Sequence, residues 1–221
     1  MKGWCKFSNV LKVKMKMEEK QICIDGKTIC STVTMKKHEK PMHIITALLA
    51  DESVSLGQIT VESKSNEIPA VIELLDIKGA VLTMDAMHCQ KETAELIIDN
   101  CGDYVLQLKG NQGNFYKDVY AMFDDKYMDE TDKLLSYTRK HWQVESFHWI
   151  LDMNYNEDDS RISNVNSQKC LNVIRKYGIS IIKKYIENHN VKRKTIIANM
   201  RKCLFNEDFF IEVLAYYCSS L

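Results

Sequence analysis

The sequence predicts an α/β protein: a mixed sheet flanked by helices, followed by a helical C-terminal segment. Three observations lead there. Short apolar runs alternate with helical patterns through the first two-thirds of the chain, as in strands whose faces are covered by helices. Two runs, 80–84 and 104–108, are almost continuously apolar, which suits strands buried on both faces. Beyond residue 160 the apolar residues recur mainly at helical spacing.

In chain order, QICIDGK (21–27) reads as a strand ending at Asp25, with MHIITALLA (42–50) and LGQITVES (56–63) as two more. SNEIPAVIELLD (65–76) predicts a helix, with Ser65 or Asn66 as N-cap and Pro69 tolerated in the first turn. Strand AVLTMDA (80–86), helix QKETAELIIDNC (90–101) and strand DYVLQLK (103–109) follow. GNQG (110–113) is a turn and NFYKDVYAMFD (114–124) a helix, and the polar stretch 125–138 is expected to be a linker.

In RKHWQVESFHWILD (139–152), Val144, Phe147 and Leu151 make one apolar helix face, and His141, Glu145, His148 and Asp152 an adjoining polar stripe. Trp142 and Trp149 are expected at the core or its edge rather than as stacking platforms for bases. Helix 167–187 should bury Cys170, Val173, Ile174, Tyr177, Ile181 and Tyr185, with Lys169, Arg175, Lys176 and Lys183 largely opposite. A basic helix (191–205) and a mostly apolar one (207–218), capped by Asn206, complete the pattern.

At 221 residues, 45% hydrophobic and 27% charged, the chain has the make-up of an ordinary soluble protein with a sizeable core. It has no run of eighteen apolar residues, so no transmembrane helix is expected, and no signal peptide is read at its basic start. Eight cysteines without a CxxC pair argue for buried free thiols in a reducing compartment rather than zinc or disulfides. Net charge is zero, but residues 161–202 hold eleven Lys/Arg against one acid, Glu187. Such a basic segment on an acidic body suits a polyanion-binding protein as well as it suits a solvated helix face.

Asp25 and Asp85 stand at strand ends, where open α/β sheets gather binding groups, and Glu145 lies on a later helix. Three carboxylates are hard oxygen ligands for Mg²⁺ or Mn²⁺, and two such ions can support an in-line phosphoryl transfer. Each acid also has a plain role: Asp25 can open a turn before Gly26, Asp85 can cap a helix, and Glu145 can be a solvated helix residue. His141 and His148 fit packing or phosphate contact better than magnesium ligation. Lys109 and the GNQG amides, with Asn111, are candidate phosphate contacts, as are Lys176, Lys183, Lys192, Arg193 and Lys194 of the basic segment.

These residues carry a family resemblance. IDGKT (24–28), ESKSNEIPAVIELLDIKGAVLTMDAMHCQKETAELI (62–97), GDYVLQLKGNQG (102–113) and HWQVESFHWILD with NEDDSRI (141–162) resemble the DDE transposases of bacterial insertion sequences, the H-repeat-associated branch above all. The resemblance implies a ribonuclease-H-like fold and two Mg²⁺ or Mn²⁺ ions held by catalytic Asp25, Asp85 and Glu145. It also implies cleavage and joining of DNA at element ends and target. The implied partner is DNA, with no membrane partner expected, in a bacterial cytoplasm; a homo-oligomer is left open. Residues 1–20 correspond to a shortened N-terminal region, 21–160 to the catalytic core and 161–221 to basic C-terminal helices. His88 stands where the family usually has glycine, and the short 114–138 interval replaces a longer, strand-rich insertion. A shortened, non-catalytic DNA-binding chain and a small metal-dependent nuclease are the two alternatives.

Overall fold

In the computed structural model the described residues are 20–29, 42–61, 69, 71–72, 75–123, 131–160, 162 and 164–219. Five strands form one sheet: β1 (Gln21–Ile29), β2 (Met42–Leu49), β3 (Val54–Val61), β4 (Val81–Met84) and β5 (Asp103–Leu106), in the order β3-β2-β1-β4-β5. The helices are α1 (Lys91–Asp99), α2 (Gly113–Phe123), α3 (Thr131–Tyr155), α4 (Val165–Asn188), α5 (Ile196–Phe205) and α6 (Glu207–Ser219).

The sheet is mixed, and its directions follow from its connections and bonds. Strands β2 and β3 are neighbours joined by residues 50–53 alone, too short for a parallel crossover, so they run antiparallel. Ser53 takes the left-handed backbone that this tight turn needs. Ala50 N–H donates to the Gln21 carbonyl, and Thr28 Oγ1 meets His43 Nδ1. The start of β1 therefore faces the end of β2, again antiparallel. By contrast, β1 pairs with β4, and β4 with β5, in parallel. This is the sheet-and-helix architecture expected of a ribonuclease-H-like fold.

Period-2 alternation puts Ile22, Ile24, Leu82 and Met84 on one face, where they join Ile45, Ala47, Val71, Ile77, Ala80 and Ile97 in a buried cluster. Gly102 lets this core close, since a Cβ there would lie 3.0 Å from Ile77 Cδ1 and 3.1 Å from Ile97 Cγ2. The chain divides into two compact units. One comprises Met1–Thr28, His43–Asp51 and Leu56–Phe147; the other comprises Ile29–Met42, Glu52–Ser55 and His148–Leu221.

Several expectations are corrected. Strand β1 runs through Asp25 to Ile29 instead of ending at the aspartate. Strand β5 is an edge, with Tyr104 41% exposed, so its apolar run is not doubly buried. The supposed linker is partly helix: α3 begins at Thr131 and runs unbroken for 25 residues. Residues 191–195 are not helical, and α5 starts only at Ile196. Most of the helix expected over 65–76 lies outside the described residues, although Pro69, Val71 and Ile72 are helical. Of the cysteines, Cys23 is buried while Cys101, Cys170 and Cys218 are exposed, all with free thiols. Asn206 does cap α6, its Oδ1 accepting from Phe209 N–H at 2.9 Å.

Helix α4 follows the polarity that its sequence suggests only in part. Tyr185 is buried as expected, but Ile174 is 66% exposed, while Gln168, Asn172, Lys176 and Ser180 are buried. The buried polar stripe is served by its surroundings. Ser160 Oγ donates to Gln168 Oε1, Asn172 Nδ2 donates to the fully buried Glu157, and Ser180 Oγ donates to the Ser53 carbonyl.

Candidate active site

The alternation that buries Ile22 and Ile24 turns Gln21, Cys23 and Asp25 to the opposite face of the sheet, and on β4 it does the same for Thr83 and the following Asp85. The pairing of β1 with β4 brings the two segments that carry the aspartates together. Gln21 lies beside Val81, Ile22 beside Leu82 and Cys23 beside Thr83. Asp25 lies two residues further along β1, and Asp85 directly follows the end of β4 at Met84, so both acids come just after the paired segment.

Asp85 takes its plain capping role as well, whereas Asp25 opens no turn, since β1 continues through it to Ile29. Asp25 Oδ1 accepts from Gly26 N–H at 2.9 Å. Asp85 Oδ1 accepts from Met87 N–H at 3.1 Å, capping the 3₁₀ turn Ala86–His88. Buried His88 brings its Nε2 to 3.8 Å from that oxygen. Each aspartate is thus oriented by a backbone donor.

Helix α3 lies over this face and climbs it in step with the strands. Gln21 Nε2 donates to the Tyr137 carbonyl at 2.8 Å, Cys23 Sγ to the Lys140 carbonyl at 3.5 Å, and Thr83 Oγ1 meets His141 Nδ1 at 3.0 Å. Two strand residues advance about 6.6 Å and four helix residues about 6 Å. The next step along each segment leads from Cys23 to Asp25, from Thr83 past the end of β4 to Asp85, and from His141 to Glu145. His141 registers all three acids. Burial pushes its pKa below the usual histidine value, while Asp25, Glu145 and Asp85 each pull it upward.

The acids do not close into a ligand shell. Glu145 is exposed, and among the described residues no three acidic, histidine or cysteine side chains are grouped tightly enough to hold one ion. The carboxylates of Asp25, Asp85 and Glu145 are nonetheless oxygen donors of the kind a hard divalent cation takes.

The other candidates fall into separate places. Lys109 is exposed just before the 3₁₀ turn Gly110–Gln112, and the side chain of Asn111 lies outside the described residues. Lys192, Arg193 and Lys194 are exposed on non-helical backbone. Lys176, only 2% exposed, is packed inside its unit rather than offered to phosphate. Lys183 is half-buried and donates to Ser53 Oγ at 3.3 Å. His148 is buried, whereas Trp142 and Trp149, expected in or near the core, are 63% and 61% exposed. Gln21, Cys23 and Thr83 were not anticipated as neighbours of the site. Their signal was in the sequence: each lies an even number of residues before an aspartate that is on its strand or directly follows it.

Comparison with known proteins bears on the same residues. The family described as "Transposase DDE domain" matches residues 16–177. The chain is 29% identical over 272 residues to "H repeat-associated putative transposase YhhI" of Escherichia coli (strain K12), covering 88% of this chain and 71% of that one. "Putative protein YbfL" of the same strain gives the same identity and coverage. "Putative transposase YncI" of that strain is 41% identical over 109 residues, 48% of this chain and 42% of its own. An alignment of 272 positions exceeds the 221 residues present here, so the relatives carry residues inside the matched region that this chain lacks. No solved structure matches.

Proposed function

Since the chain belongs to the transposase DDE domain family, we propose that it is an insertion-sequence transposase whose reaction centre is Asp25, Asp85 and Glu145. The observation that supports this is that Asp25, Glu145 and Asp85 all act on one side chain, His141, each pulling its pKa upward. The three carboxylates would hold Mg²⁺ or Mn²⁺, two ions in all. When bound, such ions supply Lewis-acid stabilisation of the attacking and leaving oxygens of a phosphodiester.

The chain's own residues do the rest. Gly26 N–H and Met87 N–H orient the aspartates. Repulsion between neighbouring carboxylates makes the site electronegative and selective for cations. Exposed Lys109, Lys192, Arg193 and Lys194 supply phosphate contacts that position DNA without reading its sequence. The substrate chemistry is hydrolysis at an element end, followed by attack of the released 3′-hydroxyl on target DNA.

The test is cleavage and joining of element-end DNA by purified protein with Mg²⁺ or Mn²⁺. Asp25→Ala, Asp85→Ala and Glu145→Ala should each abolish both; activity indifferent to all three removes the proposal. A second reading, DNA binding without catalysis, draws on the residues missing relative to the relatives and on the open arrangement of the acids. It is favoured if the protein binds DNA in a salt-dependent way yet yields no cleaved product with either metal.

A further inference from the structure

We propose that Thr83 and His141 are positioning residues. Their side-chain hydrogen bond fixes how far helix α3 stands along the sheet, and so where Glu145 lies relative to Asp25 and Asp85. The inference rests on the functional reading above and adds to it the device that brings the third acid into place.

A helix laid on a sheet through apolar contacts alone has little to choose between neighbouring positions. Here the contact between β1, β4 and α3 is polar. Gln21, Cys23 and Thr83 are 1%, 0% and 2% exposed, and each bonds to α3: to the Tyr137 carbonyl, the Lys140 carbonyl and the His141 ring. Sliding the helix would leave these buried groups unpaired, which is more costly than the loss of non-directional contacts. Rotating it by one residue, about 100°, would carry Glu145 off the aspartate face. Buried polar groups used to fix register are a known device of helix packing.

The bonds also have a direction. Gln21 Nε2 can only donate, and it donates to Thr83 Oγ1 at 3.0 Å. The Thr83 hydroxyl keeps its own proton and a second lone pair for His141 Nδ1, so the bond forms with either tautomer of the ring. The imidazole is oriented in both cases. His141 therefore acts through the helix it anchors, and its Nδ1 is committed to the sheet instead of to a phosphate. Glu145, four residues on, shares its helix face.

The experiment measures Mn²⁺ binding to the full chain by calorimetry near neutral pH, with amide exchange across residues 137–147 as a metal-free readout. Thr83→Val keeps the shape of the side chain and removes its hydroxyl; Thr83→Ser restores it. Thr83→Val should weaken Mn²⁺ binding at least tenfold and speed exchange in α3, while Thr83→Ser stays within about threefold of the parent. If Thr83→Val lacks a cooperative melting transition, His141→Phe carries the same comparison. Asp85→Asn and Glu145→Gln serve as references. If they lose Mn²⁺ while Thr83→Val and His141→Phe bind as the parent does, the positioning role is overturned and the proposed function stands. If the parent does not bind Mn²⁺, or both acid variants bind it equally well, the proposed function fails and this inference with it.

Discussion

Asp25 on β1 and Asp85, directly after β4, both pull the pKa of His141 on α3 upward, and both follow the segment in which Ile22 pairs with Leu82 and Cys23 with Thr83. Carboxylates brought within about 5 Å of one another repel when no cation is present, by roughly 1 kcal/mol in a well-hydrated setting. Asp85→Asn should therefore stabilise the metal-free protein by on the order of 1 kcal/mol, because asparagine keeps the Oδ1 that caps the 3₁₀ turn. Thermal melting without divalent ions measures this. The gain should shrink at high salt, where exposed charges are screened, and the same variant should lose Mn²⁺-dependent stabilisation.

Glu145 differs from the aspartates in being exposed on a helix. Surface substitutions of this kind usually change stability by no more than about 0.5 kcal/mol. Glu145→Gln should melt with the parent protein yet fail to cleave element-end DNA, a drop of at least about a hundredfold if the carboxylate is an essential ligand. A loss of activity accompanied by a large fall in melting temperature would point to a structural role instead.

How much of this was legible in the sequence depends on what each residue packs against. Asp85 was readable because VLTM is buried throughout and a carboxylate straight after it needs a reason. The register that brings the Asp25 strand beside β4 is a pairing between distant segments, which one-dimensional periodicity does not contain. Helix α3 was half-read: Val144, Phe147 and Leu151 are fully buried as expected, but the charged start DKLLSYT hid its first two turns. On helix α4 the expected burial of Tyr185 holds, but Lys176, which the charge pattern turns toward water, lies inside. The buried stripe of Gln168, Asn172, Lys176 and Ser180 is compatible with a folded interior only through partners such as Glu157, Ser160 and Ser53, and those partnerships appear only in three dimensions.

His141 makes stability depend on pH in a definite direction. Burial lowers its pKa below 6.5 in the folded chain, so between the folded and unfolded values the unfolded chain binds more protons. Stability is then fully present above about pH 6.5 and is lost as pH falls through that value toward the folded pKa. Comparing urea midpoints near pH 7.5 and 5.5 for the parent and His141→Gln isolates this contribution. The parent should lose more stability on acidification than the variant; an equal loss in both would show that other groups govern the acid limb.

Lys192, Arg193 and Lys194 are three successive exposed cations on non-helical backbone. If all three meet phosphates, replacing them by glutamine should weaken binding to every duplex alike and reduce the slope of log K against log salt by up to about 3. The parallel change Lys176→Gln should leave that slope unaltered and act on stability, since Lys176 is 2% exposed. Fluorescence anisotropy over a salt series separates the two effects.

Glu157 gives the test of the second unit's interior. Its side chain is completely buried, accepts from Asn172 Nδ2 at 2.7 Å, and lies 3.5 Å from Arg175 Nη1, whose own side chain is 12% exposed. Removing one member of such a pair leaves an uncompensated charge in the interior, at a cost of about 3–5 kcal/mol. Glu157→Ala should therefore shift the denaturant midpoint strongly downward, and Glu157→Gln less so, because the amide oxygen still accepts from Asn172. Replacing both partners by apolar groups of similar volume is often neutral. The double change Glu157→Leu with Arg175→Met should accordingly recover much of what Glu157→Ala loses. If the double variant is as unstable as Glu157→Ala, the pair's wider hydrogen bonding, through Asn172 above all, rather than the unpaired charge, is what the fold depends on.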